Sequence, residues 1–307
     1  MRTAVLVAAV LILAGCGTSS SAGTSSPSWS RPTQIEHGQY QSVYAVSCPV
    51  TGFCKAVDEN GGILTLRGGH WLTPAMVASG TLTSVSCSSM TFCIALSVGG
   101  TAATFQGRQW AGQVVVGPQS NQYSLSCSGP SQCVAVNFEG LGFTLDGNMW
   151  SPPMPVAGTG STSRYNDVSC ASKSFCMAVG AVGTVGQVST FNGSAWSVQS
   201  DSPTQPLLSV SCPTTTFCNG LSAKGSLVFS GGKWSKPIDS YLSISCMSAN
   251  FCMAVGLSGA ASSWSDGHWS NPVQVMHDGY SASSSVSCAS PRFCVMVNSK
   301  GAAATYR

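Results

Sequence analysis

Short apolar stretches alternate with polar ones along most of the chain, and seven of them end on the same word. A β-branched or aliphatic residue precedes serine and cysteine in Val46-Ser47-Cys48, Val85-Ser86-Cys87, Leu125-Ser126-Cys127, Val168-Ser169-Cys170, Val210-Ser211-Cys212, Ile244-Ser245-Cys246 and Val286-Ser287-Cys288. After a five-residue spacer a second cysteine opens another apolar stretch. Phe precedes that cysteine in six repeats (Phe53, Phe92, Phe175, Phe217, Phe251, Phe293), with Gln132 the exception. Two short alternating stretches joined by so short a loop predict a β-hairpin. Seven residues past the second cysteine there is always glycine, at 61, 100, 140, 183, 225, 259 and 301, which predicts a tight turn of positive φ between second and third strands. Tryptophan then ends six repeats (Trp71, Trp110, Trp150, Trp196, Trp234, Trp269), each five residues after a large apolar partner (Leu66, Phe105, Leu145, Phe191, Phe229, Trp264). Each such pair brackets a turn from third to fourth strand. Four strands in a repeat of about 40 residues predict an all-β, seven-bladed β-propeller with four-stranded blades.

The seventh repeat reaches Tyr306 in the partner position, and Arg307 follows without a tryptophan strand. Trp29-Ser30-Arg31-Pro32 matches Trp234-Ser235-Lys236-Pro237 and Trp269-Ser270-Asn271-Pro272. This N-terminal segment is therefore expected to be the outer strand of blade seven, closing the ring over residues 29–307 and protecting both ends. Proline stands three residues after tryptophan in five of the seven copies (Pro32, Pro74, Pro153, Pro237, Pro272), and proline is tolerated in edge strands. The tryptophan strand is thus outermost and the Ser-Cys strand innermost.

The 15 cysteines divide into seven Cys-x5-Cys pairs and Cys16. Across an antiparallel hairpin the members of a pair lie within bridging distance, so local disulfides are expected: Cys48–Cys54, Cys87–Cys93, Cys127–Cys133, Cys170–Cys176, Cys212–Cys218, Cys246–Cys252 and Cys288–Cys294. Even pairing of this kind belongs outside the cytoplasm. Metal–thiolate sites would need other spacings, and the chain has only 4 His. Met1-Arg2-Thr3, an apolar run from Ala4 to Ala14 and Gly15-Cys16 form a secretory signal too short to span a bilayer. Leu13-Ala14-Gly15-Cys16 resembles a bacterial lipobox. That resemblance implies a signal over residues 1–15, lipidation of Cys16, and a protein anchored on the extracytoplasmic side of the cell membrane. Residues 17–28, almost all Ser, Gly and Thr, would form a flexible tether.

Composition then narrows the function. Only 7% of residues are charged, against about 25% in soluble domains, and the net charge of +3 is spread without a basic run, which argues against nucleic acid. No cofactor is implied, and the ring is expected to act as a monomer. The turns at Asp146-Gly147 and Asp266-Gly267 resemble the Asp-box of sialidase-like propellers, and the Ser-Cys-x5-Cys words resemble exported propeller proteins of high-GC Gram-positive bacteria. The first likeness implies fold and raises a glycoside hydrolase or lyase as an alternative function.

With the Ser-Cys strand innermost, the loops entering each blade and the second-to-third turns share one rim. Tyr40, Tyr44, Tyr123, Tyr165, Tyr241 and Tyr280 fall there, with Arg164, Asp167 and Glu139. Aromatic rings around a funnel mouth suit a sugar or a peptide side chain, so Tyr40, Tyr123, Tyr165, Tyr241, Tyr280 and Arg164 are candidate ligand residues. His37, His277 and Asp278, in the loops entering blades one and seven, are candidates for a metal site or an acid/base pair. Arg31 falls on the outer strand and Arg292 in a cysteine loop on the face opposite the rim, so a sialidase-like arginine triad is not expected at the rim. The resulting expectation is a non-catalytic scaffold that binds an envelope glycan or a protein partner through its rim.

Overall fold

In the computed structural model, which describes residues 26–37, 42–157, 162–235, 241–256, 258–277 and 283–307, seven antiparallel sheets stand around one axis. Blade 1 shows the pattern. Val43–Val50 pairs with Phe53–Asp58, that strand with Gly62–Arg67, and that one with His70–Met76. The inner strands of the other blades are Leu82–Ser89, Tyr123–Gly129, Arg164–Ser172, Leu207–Ser211, Ser243–Ser248 and Ser283–Ser290. Each lies against its two neighbours, and Ser283–Ser290 lies against Val43–Val50, so the circle is complete.

The ring closes where the sequence places the splice. Thr33–Gln34 pairs with Ala302–Tyr306 as the outermost strand of blade 7, and Trp29 bridges Tyr306. Their rings stand 5.4 Å apart, tilted as in the within-repeat pairs Phe105–Trp110 and Phe229–Trp234, both at 5.3 Å. The backbone bonding is that of a continuous repeat. Ser30 donates from its N–H to Thr305 O and its Oγ accepts from Thr305 N–H, as Ser270 does with Ser263. Gly301 O accepts the N–H groups of Ile35 and Glu36, just as Gly61 O accepts those of Val77 and Ala78. Ile35 is buried at the level of Val116, Val156 and Val275, its counterparts in other blades.

All seven recurring glycines have positive φ, from 58° at Gly183 to 138° at Gly225. At Gly61 a Cβ would also lie 2.2 Å from Ala78 O, and at Gly100 2.1 Å from Gly117 O, so the turn has no room for a side chain. The preceding polar residue fixes the same turn: Asp58 Oδ1 accepts Asn60 and Gly62 N–H, and Asn298 Oδ1 accepts Lys300 and Ala302 N–H. Asp58, 1% exposed, is thereby a turn-former.

Each of the seven disulfides joins an inner strand to the next, with Cα atoms 3.9 to 4.1 Å apart. The hairpin is tighter than its five-residue spacer suggests. In blade 2, Cys87 faces Cys93 and Ser89 faces Phe92, so a bulge absorbs Ser88 and only Met90 and Thr91 make the turn. The hydrophobic core sits between adjacent sheets; Ile94 and Leu96 of blade 2, for instance, pack on Tyr123, Ala135 and Phe143 of blade 3. The two Asp-Gly pairs are not equivalent. Asp146 pairs with Met149 at the end of its strand, leaving Gly147 and Asn148 as the loop, whereas Asp266 and Gly267 are themselves the loop between Ser265 and His268. They do not form one recurring box.

Candidate functional site

Three places could meet a ligand: the central channel, the rim above it, and the groove where the ring closes. The channel is walled by the inner strands and has a volume of about 400 Å³. The serine of each Ser-Cys word points to the next blade and accepts the N–H of its first cysteine. The chain of bonds runs Ser47 to Cys87, Ser86 to Cys127, Ser126 to Cys170, Ser169 to Cys212, Ser211 to Cys246, Ser245 to Cys288 and Ser287 back to Cys48, all at 2.9 to 3.0 Å. Adjacent inner strands are too splayed to bond directly, so a hydroxyl bridges each pair and satisfies a buried amide. Two positions earlier a second tier repeats the device less completely, with Ser285 accepting Val46 N–H, Ser124 accepting Val168 N–H and Ser243 accepting Val286 N–H.

Asp167 takes the serine's place in that second tier and is the one charged residue among the described residues lining the channel. Its Oδ1 accepts Ser124 Oγ–H at 2.6 Å and its own neighbour Val168 N–H at 2.9 Å; its Oδ2 accepts Ser209 Oγ–H at 2.9 Å and Val210 N–H at 2.8 Å. One carboxylate thus ties blades 3, 4 and 5. Burial pushes its pKa up against the opposing pull of these four donors. With every lone-pair direction used inside the wall, it is a structural tie.

Three of the rim tyrosines turn inward, whereas Tyr44 is exposed. Tyr123 and Tyr165 are each 1% exposed and Tyr241 6%, a correction to the expectation of a ligand-facing ring. Tyr123 donates to Pro118 O at 2.6 Å, Tyr165 bonds Ser189 Oγ at 2.6 Å, and Tyr241 stacks on Trp269 at 5.0 Å. Burial raises the pKa of both Tyr123 and Tyr165, the latter to about 12. The rings fill gaps between blades: a Cβ on Gly117 would lie 2.7 Å from the Tyr123 hydroxyl, so that glycine makes its space. Arg164 is exposed, its guanidinium 5.1 Å from the Phe138 ring. Tyr40, Tyr280, Asp278 and the lipidation candidate Cys16 lie outside the described residues. His37 and His277 are both exposed and occupy equivalent ends of the outer strands of blades 7 and 6, one blade apart. Among the described residues no three His, Cys, Asp or Glu side chains gather as a metal site.

A concavity larger than the channel lies elsewhere. A groove of about 810 Å³ runs up the outside of the ring between blades 7 and 1. One wall is the closing segment from Ser30 to His37 with Ala303 and Thr305; the other is Gly69 to Pro74 of blade 1. The cysteine loop of blade 7 brings Arg292 to the same lining as Arg31 and Arg307. The sequence places Arg31 and Arg292 away from the rim, which is correct, but it does not anticipate that they line one groove. Cysteine loops and third-to-fourth turns share the face opposite the rim, and the closing strand starts from that face. Glu36, 6% exposed, is the one acid on the groove lining, and its Oε1 accepts the His37 backbone N–H at 3.0 Å.

Comparison with known proteins adds the fold and no more. No family model matches the chain, and no curated protein does. The chain is similar to solved propellers. One, described as YCF48 bound to D1 peptide, superposes with a TM-score of 0.70 at 16% identity over 91% of this chain and 96% of that one. Another, the WD40 β-propeller domain of Doa1, gives 0.73 at 12% identity over 92% and 97%. At such identities the likeness is one of architecture.

Proposed function

We propose that this protein is a lipid-anchored scaffold on the extracytoplasmic side of the cell membrane, whose single ring holds an extended segment of a partner protein in the groove between blades 7 and 1. One observation carries the reading. The outer strand of blade 1, His70–Met76, is 7 residues long, with one register shift at Thr73 and Pro74, and its first half walls the groove. The other described outer strands are pieces of two or three residues, such as Gln109–Trp110 and Trp196–Val198. An exposed strand edge takes an added strand through main-chain bonds, and open edges are normally kept short for that reason. Leu72 is 49% exposed and Met76 64%, offering side-chain contacts along the same edge. The likeness to a propeller solved with a peptide supports the class of ligand. The tether would leave the ring at Ser28 and Trp29, next to the groove, and so keep the captured segment near the membrane.

A photo-crosslinking residue at Leu72, compared with one at Met149 on the exposed edge of blade 3, tests this in cells. Discrete protein adducts from Leu72 and none from Met149 are expected. Adducts absent at Leu72, or the same from both, would reject the groove as the binding surface.

A further inference from the structure

The groove carries more charge than a chain of this composition would place there by spreading it evenly. The sequence contains seven arginines among 307 residues, and three of them, Arg31, Arg292 and Arg307, line this one concavity. They arrive from three stretches of chain: the start of the closing strand, the cysteine loop of blade 7 and the end of the third strand of blade 7. Blade 7 pairs the strands that adjoin Arg292 and Arg307, and ring closure adds Arg31. His37 and His70 stand on the same lining, both exposed. The one acid side chain there, Glu36, is turned inward and engaged by the His37 amide, so the exposed charged side chains of the groove are its three arginines. Guanidinium groups present planar forks that match carboxylates in pairs, and clusters of them recognise acidic motifs.

We infer that the groove selects an acidic peptide: a partner segment lying beside His70–Met76, with Asp or Glu side chains meeting Arg31 and Arg292. This rests on the groove reading above and adds its chemical specificity. The strand edge from His70 to Leu72, next to the arginines, favours a polypeptide over an anionic glycan, because only the polypeptide offers a main chain to pair with that edge while its side chains reach the guanidinium groups.

The test pans a phage-displayed library of random peptides against the intact protein, against R31Q/R292Q, and against R108Q as a comparison, since Arg108 is exposed on a turn of blade 2. Both arginines in the double variant are also exposed, and an unchanged melting temperature will verify its fold. Peptides selected by the intact protein and by R108Q should carry a surplus of Asp and Glu. The double variant should bind those peptides about tenfold more weakly or worse, as expected for losing charge-assisted bonds. Binding should also weaken several-fold between about 50 and about 300 mM salt. Selected peptides without an acidic surplus, acidic peptides indifferent to the double substitution, or no selected peptide at all would overturn the inference. So would an oligogalacturonate that binds through the same arginines more tightly than the best acidic peptide. Neutral peptides that block crosslinking at Leu72 would sink the charge preference and leave the groove reading intact; absence of any adduct at Leu72 would sink both.

Discussion

The inner ring and the outer perimeter of this propeller follow opposite rules. At the inner strands every blade repeats the same parts: a disulfide, a serine bridge to the next blade and a glycine turn with positive φ. On the perimeter the blades differ. Blade 1 has a 7-residue outer strand that only shifts register at Thr73 and Pro74, while blades 2, 3 and 6 break theirs there into two pieces of two residues each. Repetition inside is what a closed ring demands, because each interface must match the next. The perimeter carries no such constraint. The difference teaches that shared words in this sequence encode the circle, and that departures from them are where a ligand surface can arise.

The comparison can be broken most severely at the one place where inner regularity depends on a distant segment. Removing residues 26–37 takes away Trp29, its ring on Tyr306, and Ile35, which is 5% exposed. Loss of one half-buried tryptophan and one buried isoleucine costs about 4 kcal/mol or more, a large part of a domain's usual stability. A fall in melting temperature well beyond that of any single substitution is expected by calorimetry; an unchanged transition would mean the ring closes without this strand. Next in size is a single bridge. Replacing Cys246 and Cys252 together by Ala should cost about 2 kcal/mol by loop-entropy arithmetic, read as a shift in the urea midpoint.

Asp167→Asn sharpens the contrast between tiers of the inner ring. Asparagine must turn one NH2 group toward either the Ser124 and Val168 donors or the Ser209 and Val210 donors. A loss of about 1–3 kcal/mol is expected for the unmatched polar groups, while Asp167→Ser, which restores the regular residue, should be milder. The pH dependence has a definite sign. The folded pKa of Asp167 is raised, so its contribution is fully present below the ordinary carboxylate range and is lost as pH rises through the folded value. The acid-side profile of the native protein should therefore differ from that of Asp167→Ser in this direction. A smaller effect, about 1 kcal/mol, is expected for Ser47→Ala, which leaves the Cys87 amide without its bridge.

Much of the inner ring is legible in sequence, for a physical reason. Gly61 and Gly301 are readable because one backbone geometry admits one residue type. Trp29-Ser30 is readable as a displaced strand because Trp269-Ser270 makes the same bonds to its own third strand. The Ser-Cys word is visible as well, but its role is not. A hydroxyl bridging two splayed strands becomes evident only when Ser287 is seen to reach Cys48 across the seam. The candidate site is less legible. Tyr123 and Tyr165 start their strands at the rim, and only the space left by Gly117 and the partner at Ser189 show that their rings turn inward. Arg31 and Arg292 are far apart in sequence and come to line one groove only after the circle closes.

Lys55 provides the finest test, because it departs from the rule within the interior itself. One residue after the second cysteine the other blades place Ile94, Val134, Met177, Asn219, Met253 and Val295, whereas blade 1 buries a lysine, 4% exposed. Its Nζ donates to Thr65 Oγ1 at 2.9 Å and lies 4.2 Å from the Phe105 ring of blade 2, between Phe53 and Trp110. Burial, with Arg67 adding to it, pushes the ammonium down to about 8 from 10.5. A depressed folded pKa means that the unfolded chain holds the proton more tightly. The contribution of Lys55 to stability is therefore complete only above pH 10.5 and falls away as pH drops through 8. Lys55→Met, which restores an apolar residue of similar length, should melt higher than the native protein at pH 7, and the gap should shrink as the pH is raised toward 10. Matched melting curves at pH 7, 8.5 and 10 read this directly. A gap that stays constant would mean that the aromatic faces and Thr65 compensate the charge fully, and that the interface of blades 1 and 2 is built around a cation.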